Sequence, residues 1–255
     1  MKPIYTSIPV GLCKYALHNR KTNHLKLYIY LKYVSSGHVK YSNYNNKVWA
    51  TDIGKSEKWI RNALKWLITN KWITINSKRK SYRIIGYKQL QVRLGIKSLS
   101  AAIYEPDDFD KIRDFCCAVV ITYQIRIKQL IKKNRRSVSN LEDTSMNRNF
   151  FNKGFYEMPL SYLAKSLGVS NTTANNYKQC AKESGYLTVK GQRRTLVDSK
   201  GRSLTIEHLS CIMATYPEKA GRLRIYKNSI KIIEADIIKS EIVFKRKRYK
   251  HREKK

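Results

Sequence analysis

The stretch DIGKSEKWIRNALKWLITNKWI, which runs from Asp52 to Ile73, places a glycine and a serine directly before a regular series of apolar residues. The series has the i, i+3, i+4, i+7, i+8 spacing of one helical face and consists of Ile60, Ala63, Leu64, Leu67 and Ile68. Ser56 suits the N-cap because its hydroxyl can accept from a free backbone amide, and Gly54 permits a tight turn before it. The stretch therefore predicts a helix over residues 57–70 with one buried face.

The opposite face of this predicted helix is polar and mostly basic. It comprises Ser56, Glu57, Lys58, Arg61, Asn62 and Lys65. After the helix, residues 72–87 contain two β-rich runs around Lys78, Arg79 and Lys80, which predicts a hairpin with a basic tip. Residues 24–34 and 48–53 suit two preceding helices. This order resembles a winged helix-turn-helix, whose last helix enters the major groove of DNA, although any amphipathic surface helix also has a polar face.

The same pattern recurs in the second half of the chain, where residues 167–170 (LGVS) match residues 53–56 (IGKS). The second polar face comprises Ser170, Asn171, Thr172, Asn175, Asn176, Lys178 and Gln179, and the second hairpin is expected to turn near Arg193 and Arg194. Asn and Gln can pair with adenine edges, whereas Arg and Lys favour guanine or phosphate. We therefore expect the first copy to grip DNA with Arg61 and Lys65 and the second to discriminate sequence with Asn175 and Asn176.

These patterns predict an α+β fold, mostly helical, with two winged helix-turn-helix domains in tandem and small hairpin wings. The expected organisation is an N-terminal arm (1–22), a first domain (23–95), a connecting segment (96–158) with a long helix at 108–134 and a polar loop, a second domain (159–244) and a basic tail (245–255). Residues 137–155 are expected to set the distance between the two half-sites on DNA. Residues 197–221 fit either an enlarged wing or a separate insertion.

The charge of the chain is extreme, because 52 Lys and Arg face 18 Asp and Glu, a formal net charge of +34. A surface of this kind favours an anionic partner, and double-stranded DNA is the partner we expect. The basic excess is concentrated in the first third of the chain and at the C-terminus. The tail, including Lys245, Arg246, Lys247 and Arg248, is expected to contact phosphates or else to be merely solvated.

Other chemistries find little support in the sequence. No apolar run approaches the length of a membrane span, and the N-terminus lacks the core of a signal peptide, so we expect a cytoplasmic protein. The five cysteines include no Cys-x-x-Cys pair, which fits a reducing compartment without structural disulfides. Neither Cys13, His18 and His24 nor the Asp-rich run at 107–114 has the usual spacing of a metal site. We expect no catalytic residues, no metal and no cofactor.

Two winged helices of unequal chemistry in one chain resemble the layout of plasmid replication initiators. The resemblance covers residues 20–90 and 108–230, and it rests on the Gly-x-Ser turns at 54–56 and 168–170 and the helices that follow them. It implies sequence-specific binding to origin repeats, by a replication initiator or replisome organiser of a phage or plasmid, located at the nucleoid. A winged-helix transcriptional regulator is the alternative, and a non-specific DNA-coating or packaging protein is a further one. Partners from the replication or transcription machinery are possible under these interpretations.

Overall fold

The chain has an α+β fold, shown by a computed structural model that describes residues 6–35, 37–97, 101–104, 108–138, 154–198, 200–215, 217, 222–226, 229–242 and 244–245. The helices are α1 (Val10–His18), α2 (Thr22–Tyr33), α3 (Asn43–Ile53), α4 (Glu57–Thr69), α5 (Tyr87–Arg93), α6 (Ile112–Val138), α7 (Leu160–Leu167), α8 (Asn171–Glu183) and α9 (Leu209–Thr215). The strands are β1 (Thr6–Pro9), β2 (His38–Lys40), β3 (Ile73–Asn76), β4 (Ser81–Ile84), β5 (Ala101–Tyr104), β6 (Tyr156–Glu157), β7 (Leu187–Lys190), β8 (Arg193–Thr195), β9 (Leu223–Tyr226), β10 (Ser229–Ile233), β11 (Ile237–Ser240) and β12 (Phe244–Lys245). Within these ranges the strands form small antiparallel sheets of three.

The first unit, residues 22–84, consists of α2, β2, α3, α4, β3 and β4 in that order. The predicted stretch forms α4 as expected, and the Ser56 hydroxyl accepts from the backbone amide of Trp59 at 3.2 Å. Gly54 ends α3 in the left-handed conformation (φ 70°) that a tight turn between two helices requires. Strands β3 and β4 form the predicted hairpin, and β2 pairs with β4 to give the strand order β2-β4-β3.

The second unit, residues 112–240, repeats this order with α6, β6, α7, α8, β7 and β11. Its sheet has the strand order β6-β11-β7, which corresponds strand for strand to β2-β4-β3. Ser170 caps α8 by accepting from the amide of Thr173 at 3.2 Å, as Ser56 caps α4. The two units therefore share local signals, element order and sheet topology.

The second hairpin differs from the prediction because its two strands are far apart in sequence. β7 pairs with β11, and residues 191–236 between them form an insert with its own sheet, ordered β8-β10-β9, and the short helix α9. Arg193 and Arg194 lie in β8, so the expectation that they form a hairpin turn is wrong. β8 pairs with β10, which lies much later in the chain. Local turn signals in the sequence cannot predict a pairing over that distance.

One hydrophobic core joins the two units. It runs from Ile8 to Phe244, with α6 buried at Ile112 and from Phe115 to Ile121. α6 packs on α1 and α2 as well as on α7 and α8, so the first helix of the second unit is also a wall of the first unit. The segment predicted as an arm contributes β1 and α1, with Leu12 and Leu17 fully buried. Direct packing, rather than a linker alone, therefore holds the units together.

A separate small sheet brings the two ends of the chain to this junction. β5 pairs with β1 on one side and with β12 on the other, so that Ala102 faces both Ile8 and Phe244. The long helix α6 begins and ends four residues later than predicted. Lys245 belongs to β12 rather than to a free tail, whereas the predicted tail residues Arg246, Lys247 and Arg248 lie outside the described residues.

Candidate nucleic-acid interface

The outer face of α4 is exposed and carries the residues that the sequence predicted. Ser56, Lys58, Arg61, Asn62 and Lys65 are exposed, and Glu57 is half-buried. The guanidinium of Arg61 lies 4.0 Å from the Glu57 carboxylate, a long contact between exposed side chains. Such a pair contributes little to stability, so Arg61 remains available to an external anion. The buried face, with Ile60 and Leu64, holds the helix in place.

The basic hairpin tip belongs to the hairpin that directly follows this helix in the chain. Lys78, Arg79 and Lys80 are all exposed, and the turn is fixed by hydrogen bonds from the Arg79 amide to the Asn76 side chain (3.1 Å) and from the Tyr41 amide to the Lys80 carbonyl (3.2 Å). Lys80 adopts a left-handed conformation (φ 44°). The tip therefore presents three cations on a defined backbone.

The sheet behind the tip adds basic residues that the sequence prediction missed. His38 and Lys40 of β2 and Arg83 of β4 are exposed, and His38 and Arg83 are direct neighbours across the ladder. The strand β2 is only three residues long, and it could be identified only from its pairing with β4 in the structure. Arg83 lies between the apolar residues Tyr82 and Ile84, and successive side chains of a strand point to opposite faces. This alternation was the one local signal that could have indicated that the Arg83 side chain points outward.

Hydrogen bonds from α2 hold the turn that leads into α4. The Tyr30 hydroxyl donates to the Asp52 carboxylate, and burial together with this bond raises the pKa of Tyr30. The Lys26 ammonium donates to the Ile53 carbonyl (3.4 Å) and pairs with Asp110 (3.0 Å) while lying over the Phe109 ring at 4.5 Å. Asp110 precedes α6, which begins at Ile112, and its carboxylate is the partner of the buried Lys26.

An aromatic cluster supports α4 from behind. His24 meets the Trp66 ring edge-on at 4.7 Å and lies 5.7 Å from the Trp59 ring, while Trp66 packs on Trp72 at 5.6 Å. Burial, and secondarily the nearby charge of Lys21, lowers the pKa of His24 to about 4. His24 is therefore neutral at physiological pH and acts as a packing residue, not as a cation of the interface.

The corresponding face of α8 is only partly available. Ser170, Asn171, Thr172 and Asn176 are exposed, whereas Asn175 and Gln179 are half-buried. Lys178 is 4% exposed and its ammonium pairs with the Asp236 carboxylate, so the expectation that it belongs to the exposed face is wrong. The physical reason is position, because Lys178 lies on the stripe between Ala174 and Ala181, where α4 has Leu64.

The insert forms a cleft against this side of α8. The cleft has a volume of about 1070 Å³ and lies between the start of α7, α8 and the sheet of the insert. Asn175, Lys178 and Asp236 supply its polar side, and Leu196, Leu223 and Ile232 supply apolar side chains. Asn175 therefore faces the insert as well as solvent, while Arg193 is exposed on β8 and the side chain of Arg194 lies outside the described part.

The described residues contain no other site that stands out chemically. No group of three or more His, Cys, Asp or Glu among them is placed to hold a metal ion, and none of the helices within the described ranges is long and apolar enough to cross a membrane. Comparison of the chain with known protein families, with curated proteins and with solved structures yields no match. The case for a function therefore rests on the chain's own geometry and charge.

Proposed function

We propose that the protein binds double-stranded DNA through two winged helix-turn-helix units, with α4 and the tip of the β3-β4 hairpin as the principal contacts. The observation that carries this proposal is the combination, within one unit, of an exposed helix face rich in cations and an exposed basic hairpin tip, on a chain of net charge +34. A helix of this length fits the major groove, and the cations of the hairpin are suited to the adjacent phosphates.

The order of elements supports the same proposal in both units. Each unit has three helices, with a short strand after the first and a pair of antiparallel strands after the third, and this order supports the winged-helix proposal. In the second unit the hairpin is interrupted by the insert, and α8 offers Asn171, Thr172 and Asn176. We therefore propose that α8 reads fewer bases than its sequence suggests.

The biological role that we propose is replication initiation or replisome organisation in a phage or plasmid. Two units in one core can contact neighbouring parts of one site together, which suits a protein that assembles on origin repeats. Control of transcription is the alternative role. Selection of binding sites from random duplexes distinguishes the two, because clustered repeats of the site favour replication and isolated sites at promoters favour transcription.

The DNA-binding proposal is tested by the salt dependence of duplex binding in the parent protein and in Arg61→Ala and Lys65→Ala variants. If these cations contact phosphates, the slope of log affinity against log salt becomes shallower by about 0.9 for each contact that is removed. If Arg61 reads a base, specificity at one position relaxes by about 1–3 kcal/mol. Lys88→Ala, which removes an exposed lysine from α5, is the control and should leave the slope unchanged. A flat salt response of the parent protein would refute DNA binding.

A further inference from the structure

Six helices in the described part are followed by a left-handed residue, and that residue is of two chemical kinds. Four of the helices in the described part are followed by a left-handed glycine, namely Gly54, Gly95, Gly168 and Gly185. After α1 and after α4, however, the left-handed residue is Arg20 (φ 54°) or Lys71 (φ 59°). This conformation brings Cβ close to the following carbonyl oxygen, so glycine is the residue that suits it. The two basic residues therefore occupy positions that their backbone disfavours.

The comparison of Lys71 with Gly185 shows that the helix end itself does not require a lysine. The Lys71 amide donates to Ile68 (2.9 Å) and the next amide to Leu67 (2.8 Å), which closes α4. After α8, the Gly185 amide donates to Lys182 and the next amide to Ala181, both at 3.0 Å. Identical hydrogen bonds are thus made with glycine in one unit and lysine in the other, and what the lysine adds is an exposed charge.

Arg20 and Lys71 lie at the same end of α4. The Lys21 ammonium is 5.3 Å from the centre of the Trp66 ring, and the Tyr15 and Trp72 rings are 6.0 Å apart, so the end of α1 packs on the end of α4. Arg93 joins them by donating to the Lys71 carbonyl at 2.7 Å. Arg20, Lys71 and Arg93, which we term the junction cluster, are all exposed, and within the described residues none of them pairs with a carboxylate.

The same turn touches the second unit. His18, the last residue of α1, donates through Nδ1 to the carbonyl of Gly168 at 2.5 Å. A Cβ at Gly168 would lie 2.7 Å from that nitrogen, so the contact leaves no room for a side chain. Gly168 lies two residues before Ser170, the N-cap of α8. The turn that carries Arg20 is therefore held against both the end of α4 and the start of α8.

From these contacts we infer that the junction cluster binds the DNA phosphates between the segments contacted by α4 and by α8. The inference rests on the proposed function, and it adds a third contact that belongs to neither helix. Arg and Lys suit this task because they donate to phosphate oxygens without sequence preference. Charge retained at a strained backbone position is typical of functional rather than structural residues.

The test is a pair of variants of the full chain, Arg20→Gly and Lys71→Gly. Each removes a cation and relieves the left-handed strain, so the melting temperature is expected to rise by about 2–4 °C. At the same time the slope of log affinity against log salt becomes shallower by about 0.9 per variant. Arg20→Lys retains the charge and should keep the parent slope. Gly185→Lys, the mirror change after α8, should lower the melting temperature by a similar amount.

The outcomes separate this inference from the proposed function. If the parent protein binds no duplex, both are overturned. If the parent binds with a steep salt dependence while both glycine variants keep its slope, the junction cluster is overturned and the α4 interface stands. A melting temperature that falls together with binding would assign Arg20 and Lys71 a structural role and would also overturn the inference.

Discussion

At the scale of single residues, the environment of a side chain depends on how far along the chain its partners lie. Ser56 and Ser170 cap their helices because an N-cap bond involves a backbone amide only three residues away. Lys178 was assigned to the exposed face because its ion-pair partner, Asp236, lies at the C-terminal end of the insert, far from it in the sequence. The neutral state of His24 could not be predicted either, since it depends on two tryptophans of another helix.

His24 gives a prediction about pH. An unfolded histidine titrates near 6.5, whereas the pKa of folded His24 is lowered to about 4 by burial. Between these values the unfolded chain binds more protons at this residue, so its contribution to stability is lost as the pH falls from 6.5 towards 4. In a His24→Leu variant the free energy of unfolding, measured with urea, should depend less steeply on pH in this range. His38→Gln, at an exposed histidine, should retain the parent's dependence, and an equally steep profile in His24→Leu would contradict the assignment.

At the scale of elements, α4 and the β3-β4 hairpin of the first unit could be predicted because their signals are local, whereas β2, which pairs with the distant β4, could not. The β3-β4 hairpin closes over four residues and α4 follows directly from its apolar spacing. The second unit could be predicted only as far as α8 and β7. Its second strand, β11, lies beyond the insert, and pairing between distant strands has no counterpart in local propensity.

The Lys178–Asp236 pair connects α8 to the residue that directly precedes β11, and it yields a prediction for this element. Removing one partner leaves a buried ammonium without its counter-charge, so Asp236→Asn should destabilise the protein by about 3 kcal/mol. Adding Lys178→Leu, which restores the chemistry of Leu64 in the first unit, should recover most of that loss. Urea unfolding measures both changes. Asp198→Asn, which breaks an ion pair with the exposed Arg202, should destabilise the protein far less, and an equal effect of the two Asn variants would refute the role of the buried pair.

At the scale of the whole molecule, the sequence indicated two related units but not that they share one core. Their repetition is visible as a repeated Gly-x-Ser turn and apolar stripe. The packing of the two units on each other depends on contacts between residues far apart in the sequence, such as Lys26 with Asp110 and His18 with Gly168. The expectation that residues 137–155 set the distance between half-sites falls largely on residues 139–153, which lie outside the described part of the chain, and the shared core supports a second expectation. We expect α1 and α6, which pack between the units, to hold that distance constant.

A fixed distance between the two units changes how the affinity should respond when the spacing of the half-contacts on DNA is varied. The binding site is first defined by selection and footprinting, and five or ten base pairs are then inserted between the two half-contacts. Five inserted base pairs place the half-contacts on opposite faces of the duplex. Ten base pairs restore the same face but move the half-contacts a full turn, about 34 Å, further apart.

Units joined by a flexible linker would regain affinity at ten base pairs, because both could again bind one face. Units packed in one core cannot separate by that distance. We therefore expect both insertions to lower the affinity to that of a duplex carrying only the better half-contact, which serves as the control. Recovery at ten base pairs would show that the interface of α1 and α6 opens on DNA.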